Sequence, residues 1–195
     1  MKMTVDARGL SCPQPVVLTK KALEEQAVSE VLTIVDNTAA LENVSRLLET
    51  LKLQPTVNQK ENDYYINIVK TESLEEIGLE ENLAGNTVII FTSNLLGNGD
   101  AKLGATLMKG FFYSISQLEG LLKSLIFMNS GVMLTTEGSE VLEHIKLMED
   151  QGIEVLSCGT CLDFYGLSDK LKAGSVTNMY TITERMTENS KLITL

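Results

Sequence analysis

The sequence contains few residues of the kinds that bind metals or form disulfide bonds. It has three cysteines and one histidine in 195 residues. A structural zinc ion takes four protein ligands in most proteins, so a zinc site within one subunit is not the favoured interpretation. An odd number of cysteines in a chain without an export signal favours free thiols in a reducing compartment.

Long apolar runs and clustered positive charge are also lacking. No basic stretch precedes an apolar segment at the amino end, and Lys123 interrupts the run GLLKSLIFM, so we predict a cytoplasmic protein without a membrane span. The net charge is −10. Nucleic-acid binding depends largely on clustered lysine and arginine, so nucleic acid is an unlikely partner.

The charges divide the chain into three parts. Residues 1–70 carry eight basic and nine acidic side chains, whereas residues 71–86 carry five acidic side chains and no basic one. We interpret residues 71–86 as an acidic linker between a first domain, residues 1–70, and a second domain, residues 87–195.

Residues 1–70 have the pattern of a small α/β domain. Apolar positions at helical spacing follow Pro13 and recur from Ala40 to Leu51, the second set preceded by a cap at Asn37 or Thr38. Pro55 closes the second helix. Strand patterns occur at Met3–Val5, Val31–Val35, Thr56–Gln59 and Tyr64–Val69. The predicted fold is a two-layer β-α-β-α-β-β sandwich.

Residues 87–195 have the pattern of a larger α/β domain. TVIIFTS predicts a strand buried on both faces, and the loop LLGNGD leads into a helix that starts near Asp100. Further strands are predicted at SLIFMNS, VMLTT, IEVLSC and KLITL, with helices at Glu137–Gln151 and Asn178–Asn189. This order favours a mainly parallel sheet flanked by helices.

The segment DARGLSCPQP, residues 6–15, holds two of the three prolines of the chain. With Pro13 as the first residue of a helix, Cys12 would be its N-cap, where free amide groups favour a thiolate over a neutral thiol. Gly9 would permit an unusual turn, and Arg8 could add positive charge or hold an anionic substrate. The alternative is a small buried cysteine without chemistry.

Those residues resemble the signature of the TusA/SirA family of small sulfur-carrier proteins. The resemblance rests on Asp6, the Arg8-Gly9-Leu10 run and the Cys12-Pro13-x-Pro15 box, and it extends over roughly residues 2–70. It implies a persulfide on Cys12 that is received from a donor protein, such as a cysteine desulfurase, and passed to an acceptor. It also marks Asp6, Arg8, Gly9 and Pro13 as candidate substrate-binding residues.

A second thiol motif, SCGTCLDFYGL at residues 157–167, follows the strand IEVLS. Cys158 and Cys161 form a Cys-x-x-Cys pair, which can close a disulfide or resolve a persulfide, or which can simply fill the end of the strand. The architecture of residues 87–195 resembles a DsrE-like domain, a fold associated with sulfur relay and with homo-oligomers. Relay members carry a single active cysteine, so the pair departs from their pattern.

The loop LLGNGDAKLG resembles a phosphate-binding loop only loosely, because Leu103 stands where a serine or threonine should follow Lys102. A turn capped by Asp100 explains the glycines better, and no cofactor is predicted.

The order of a TusA-like domain, an acidic linker and a DsrE-like domain with a CGTC pair resembles the YedF-type family, which is linked to selenium metabolism. It implies a carrier of sulfur or selenium with Cys12, Cys158 and Cys161 as catalytic residues. A redox-sensing regulator and a dithiol oxidoreductase at Cys158 and Cys161 remain alternatives.

Overall fold

The structure is a computed structural model, and it describes residues 1–70, 85–118, 120–188 and 191–195. The chain divides into two compact units, Met1–Glu81 and Asn82–Leu195. Of the acidic linker predicted at residues 71–86, residues 71–84 lie outside the described residues.

The first unit has the predicted β-α-β-α-β-β order. Its strands form one sheet in the order β1-β2-β4-β3, in which β1 and β2 are parallel and the other neighbours are antiparallel. This confirms the sandwich predicted from the sequence. The elements are β1 (Lys2–Asp6), α1 (Gln14–Glu24), β2 (Glu30–Val35), α2 (Thr38–Thr50), β3 (Thr56–Lys60) and β4 (Asp63–Val69).

Helix α2 shows how the sequence pattern produces the packing of this unit. The Asn37 side chain accepts a hydrogen bond from the backbone N–H of Ala40, which confirms the predicted cap. Val44 and Leu48 lie one turn apart on α2 and are fully buried. They belong to one apolar core with Val31 of β2. The unit is held together by this contact between one helical face and one face of the sheet.

The start of α1 differs from the prediction by one residue. Pro13 is the N-cap, with φ −98° and ψ 10°, and the helix begins at Gln14. The Gln14 N–H donates a hydrogen bond to the Ser11 carbonyl, so a turn occupies the position where the first helical residue was expected. Cys12 therefore lies one residue outside the predicted N-cap position, and Pro15 lies in the first turn.

The second unit contains a five-stranded sheet in the order β8-β7-β6-β5-β9, with every neighbouring pair parallel. The predicted parallel sheet is confirmed. Its elements are β5 (Thr87–Phe91), α3 (Ala101–Ile115), β6 (Leu122–Phe127), α4 (Leu142–Asp150), β7 (Glu154–Cys158), α5 (Gly159–Tyr165), β8 (Ser175–Thr177), α6 (Met179–Thr187) and β9 (Lys191–Thr194).

Strand β5 is buried on both faces, as the continuous apolar sequence predicts. Ile89 and Phe91 lie in the larger apolar core of this unit, whereas Val88 and Ile90 lie in a smaller core with Ile182 of α6. Helices that cover both faces of a parallel sheet require this uninterrupted apolar pattern.

Two local predictions in the second unit are wrong. VMLTT, predicted as a strand, lies in a 3-10 helix at Asn129–Thr135. There the backbone at Gly131 lies so close to the Phe91 carbonyl that a Cβ atom would clash with it. The helix predicted from Glu137 begins only at Leu142, because Gly138 has a φ of +89°, which a helix cannot accommodate.

Among the described helices, none combines the length and the apolar character that a membrane crossing would require.

Three stacked aromatic rings lie at the centre of the second unit, and their removal should be costly. The Phe127 ring lies 4.9 Å from the Phe91 ring and 6.2 Å from the Phe112 ring. Phe127→Ala should lower the free energy of unfolding of this unit by about 3–5 kcal/mol, through the lost burial and the cavity left behind. Denaturant unfolding followed by far-UV circular dichroism measures the change.

Phe164→Ala is the matched control, because Phe164 is 81% exposed. It should change the same free energy by less than about 0.5 kcal/mol. Equal effects of the two substitutions would contradict this account of the core.

Candidate functional site

The loop that carries Cys12 is held by a carboxylate from a neighbouring strand end. Gly9 has a φ of +71°, in the left-handed region that glycine adopts readily. Its backbone N–H donates a 2.7 Å hydrogen bond to Asp36, the residue that follows β2. This bond is the largest of the influences that hold the pKa of Asp36 below its usual range. The loop between β1 and α1 is thereby tied to the carboxyl end of β2.

Cys12 is exposed and lies at a cavity of about 380 Å³ between this loop and α2. Apart from the Asp36 carboxylate, the lining is neutral, and it combines small apolar groups with two amide side chains. The lining residues are Gly9, Leu10, Ser11, Cys12, Pro15, Val16, Asp36, Asn37, Ala39, Ala40 and Asn43. A small group attached to the Cys12 sulfur would have space here.

The Asn43 amide directs a donor at the sulfur. Its Nδ2 atom lies 3.7 Å from the Cys12 Sγ atom, a distance typical of a weak hydrogen bond to sulfur. A fixed N–H group next to a sulfur atom favours negative charge on it, whether the sulfur belongs to a thiolate or to a persulfide. This donor belongs to α2, whereas the sequence predicts donors at the start of α1.

Arg8 is paired with two carboxylates. Its guanidinium donates to both oxygens of Asp6, at 2.8 Å and 2.6 Å, and to Asp63 at 3.0 Å. Hydrogen bonds from Arg8 lower the pKa of Asp6 to about 2. Hydrogen bonds to Asp6 and then Asp63 raise the pKa of Arg8. These ion pairs stabilise the loop at the end of β1.

The structure therefore separates the candidate substrate-binding residues into two groups. Gly9 lines the cavity beside Cys12. Asp6, Arg8 and Pro13 are not among its lining residues, and Asp6 and Arg8 pair with each other instead. Binding of an anionic substrate by Arg8 stays a prediction.

In the second unit the two cysteines of the CGTC motif have different surroundings. Cys158 ends β7 and is 2% exposed, whereas Cys161 in α5 is partly exposed. Both are free thiols in one apolar cluster, with Cys158 as a buried member and Cys161 packed against it. The pair combines an accessible sulfur with a buried one.

Cys161 also receives a hydrogen bond from the loop after β6. The Asn129 backbone N–H donates to its Sγ atom at 3.1 Å. Asn129 has a φ of +51°, and its side-chain oxygen accepts a 3.0 Å hydrogen bond from the Tyr165 hydroxyl. Burial is the main influence that raises the pKa of the Cys161 thiol, and the Asn129 donor opposes it.

Sequence reasoning missed Asp36, Asn43, Asn129 and Tyr165 as residues of these sites. A usable signal existed for two of them. Asp36 directly follows the buried strand β2, and Asn129 lies just beyond β6. The carboxyl ends of parallel strands gather at one edge of a sheet, so polar residues at those ends are candidates for a site.

The glycine loop at LLGNGD leads into α3 as predicted, and the Asp100 side chain accepts a hydrogen bond from the Leu103 N–H at 2.9 Å. Across the described ranges, no three His, Cys, Asp or Glu side chains converge as a metal site would need.

The family described as sulfurtransferase TusA matches residues 3–71. A SirA-like protein from Desulfitobacterium hafniense is 33% identical, with 36% of this chain and 99% of that chain covered and a TM-score of 0.33.

Two further solved structures cover more of this chain at lower identity. The ychN protein from E. coli is 16% identical, with 56% of this chain and 99% of that chain covered and a TM-score of 0.41. A protein of unknown function from Methanobacterium thermoautotrophicum is 19% identical, with 57% and 99% covered and a TM-score of 0.42. At these identities and scores, nothing about the chemistry of the second unit follows from them.

The ion pair of Asp6 with Arg8 should be visible in an acid titration. Because the pKa of Asp6 is lowered to about 2, its carboxylate stays charged well below the ordinary aspartate value of about 3.9. The stabilisation it provides is fully present above about pH 4 and is lost as the pH falls toward about 2. The chemical shift of the Asp6 side-chain carboxyl carbon, followed by NMR against pH, measures the midpoint of this titration.

Arg8→Gln should raise the Asp6 midpoint toward the ordinary value of about 3.9, because the paired cation is gone while the backbone N–H of residue 8 still donates to the carboxylate. A midpoint near 3.9 in the unsubstituted protein would show that the ion pair does not hold the loop.

Proposed function

We propose, from the premise that the amino-terminal domain of this chain belongs to the TusA/SirA-like sulfurtransferase family, that Cys12 carries a sulfur atom as a persulfide. The observation that carries the proposal is the exposed Cys12 sulfur at the mouth of a small, largely neutral cavity. A protein that exchanges sulfur with other proteins needs a thiol they can reach. The cavity supplies space for the added atom, and Asn43 supplies a donor beside the sulfur.

The transfer needs no cofactor. The Cys12 thiolate attacks the terminal sulfur of a persulfide on a donor protein, a new S–S bond forms, and the donor leaves as a thiolate. An acceptor thiolate then attacks the terminal sulfur on Cys12 and releases the Cys12 thiolate. Oxidation states balance, because the sulfane sulfur keeps its state and only its thiol partner changes.

The proposed partners are therefore sulfur donor and acceptor proteins, with a cysteine desulfurase as a candidate donor. The proposal includes selenium as an alternative cargo, because a selenopersulfide requires the same thiolate geometry. Support for a YedF-type protein with a DsrE-like second domain comes from the order of a TusA-like domain followed by a parallel α/β unit with a thiol pair. A cytoplasmic location and self-association of the second unit belong to the same proposal.

Loading of Cys12 is tested by mass spectrometry after incubation with a cysteine desulfurase and cysteine. The protein should gain about 32 Da, the mass of one sulfur atom, on the peptide that contains Cys12. Cys12→Ser should abolish that adduct, because a hydroxyl cannot form a persulfide.

Asn58→Ala, on the exposed strand β3, is the control, since it leaves the thiol and the residues that line the cavity in place. Loading in Cys12→Ser equal to that of the parent, on the same peptide, would refute the proposal. Circular dichroism checks that the variant is folded, as expected for a substitution at an exposed position.

Removal of the donor at Asn43 should slow loading without abolishing it. Asn43→Ala is expected to reduce the initial rate about three- to tenfold, the effect of losing one weak hydrogen bond to developing charge. The adduct is followed over time at a fixed desulfurase concentration. Asn58→Ala, on the exposed strand β3, is the control and should leave the loading rate unchanged. Equal loading rates for the parent protein, Asn43→Ala and Asn58→Ala would exclude a role for Asn43.

A further inference from the structure

The two thiols of the CGTC motif differ in what can reach them. Cys161 is partly exposed, so a small persulfide or a thiol from solution can approach its sulfur. Cys158 is 2% exposed and lies in an apolar cluster that includes Val88, Ile126 and Ile182. Cys161 packs against the same cluster. A reagent from solution therefore meets Cys161 first, and Cys161 is the sulfur next to Cys158.

One backbone donor beside Cys161 stabilises negative charge on its sulfur and opposes the effect of burial, which raises the pKa of the thiol. The Asn129 N–H lies 3.1 Å from its Sγ atom, and the Tyr165 hydroxyl fixes the Asn129 side chain at 3.0 Å. This donor comes from the loop after β6, whereas the thiol belongs to α5. A backbone donor held by tertiary structure stabilises a charge without reorganisation.

The spacing of the pair permits a disulfide. Cys158 is the N-cap of α5 and Cys161 lies three residues later, and both side chains pack in the same apolar cluster. Disulfide bonds join residues whose Cα atoms are about 4.4–6.8 Å apart, a distance typical of positions three apart at the start of a helix. Closure needs rotation of side chains and little movement of the backbone.

We propose that the CGTC pair is a reductive release site, in which Cys161 takes a sulfane sulfur or selenium atom and Cys158 expels it as hydrosulfide or hydroselenide. The inference rests on the proposed function only for the origin of that atom. It assigns different tasks to the two cysteines and goes beyond transfer from thiol to thiol.

The first step is an exchange. The Cys161 thiolate attacks the terminal sulfur of a donor persulfide, and the donor leaves as a thiolate, so that Cys161 carries Sγ–SH. No electrons are gained or lost overall, and the Asn129 N–H remains beside the Sγ atom.

The second step is the release. Cys158 loses its proton and attacks the Sγ atom of Cys161, the Cys158–Cys161 disulfide forms, and HS⁻ leaves with the electron pair of the broken S–S bond. The two cysteines are oxidised by two electrons, and the sulfane sulfur is reduced by two to sulfide. The proton lost by Cys158 balances the one that sulfide takes up. A dithiol reductant then reopens the disulfide by exchange, which completes a cycle.

The burial of Cys158 favours release over a further transfer. An atom bound to Cys161 lies next to a thiol that partners in solution cannot reach, so intramolecular attack competes well with attack by an external thiol. A carrier built only for relay has no use for a second, buried thiol three residues from the first in the same apolar cluster.

The experiment uses the full chain with Cys12→Ser, so that the first domain cannot contribute. The reduced protein is mixed with less than one equivalent of glutathione persulfide, and sulfide is measured by derivatisation while the protein is analysed by mass spectrometry. About one sulfide should appear for each chain that reacts. Each such chain should lose about 2 Da, the mass of two hydrogen atoms, through a disulfide that maps to Cys158 and Cys161.

Two variants in the same background assign the roles. Cys158→Ala should stop disulfide formation and leave an adduct of about 32 Da on Cys161. Cys161→Ser should show neither the adduct nor the disulfide. If Cys158→Ala does not fold, as far-UV circular dichroism would show, the stoichiometry and disulfide mapping of the parent still decide the question.

Three results would overturn the inference. They are an adduct on Cys158 in place of Cys161, a stable persulfide on Cys161 beside an unoxidised Cys158, and sulfide release in Cys158→Ala equal to that of the parent. None of them affects the loading of Cys12 by a desulfurase, because Cys12 is absent from this background. Conversely, if a desulfurase does not load Cys12, the conclusion about the CGTC pair is unaffected.

Discussion

The hydrogen bond from the Gly9 amide to the Asp36 carboxylate is the constraint on which the first site depends. It joins the loop after β1 to the end of β2, and the cavity at Cys12 lies between that loop and α2. The left-handed conformation of Gly9 and the ion pair of Asp6 with Arg8 stabilise the same β1 end of the loop. Three weak restraints at the surface therefore place one thiol where other molecules can reach it.

The thiols of the second unit differ from Cys12 in their burial. Its thiols lie where β7 passes into α5, and the donor to Cys161 comes from the loop after the adjacent strand β6. Here the strand ends are deeply packed, so one cysteine is buried and the other remains accessible. An exposed single thiol suits exchange between proteins, whereas two thiols three residues apart suit a step in which both are oxidised together. The proposed carrier and release functions follow from this difference in burial.

Much of the architecture follows from local patterns. The β-α-β-α-β-β order, the cap at Asn37, the doubly buried strand β5 and the parallel second sheet are all confirmed. One error occurs where a neighbour in space decides the backbone. VMLTT has the composition of a strand, yet the close approach of Gly131 to β5 places it in a 3-10 helix. The short elements α5 and β8 carry too few residues for a periodic signal.

The sequence by itself determined which atoms are available for chemistry: the thiol of Cys12 between its prolines and the pair of thiols at Cys158 and Cys161. The positions of these thiols depend only on residue identity and spacing, which can be read directly from the sequence. Only the tertiary structure decided which groups surround them, because Asp36, Asn43 and Asn129 reach the loops and thiols from elements distant in the chain. Burial likewise depends on the packing of the whole unit, so the contrast between Cys158 and Cys161 appears only when the fold is complete.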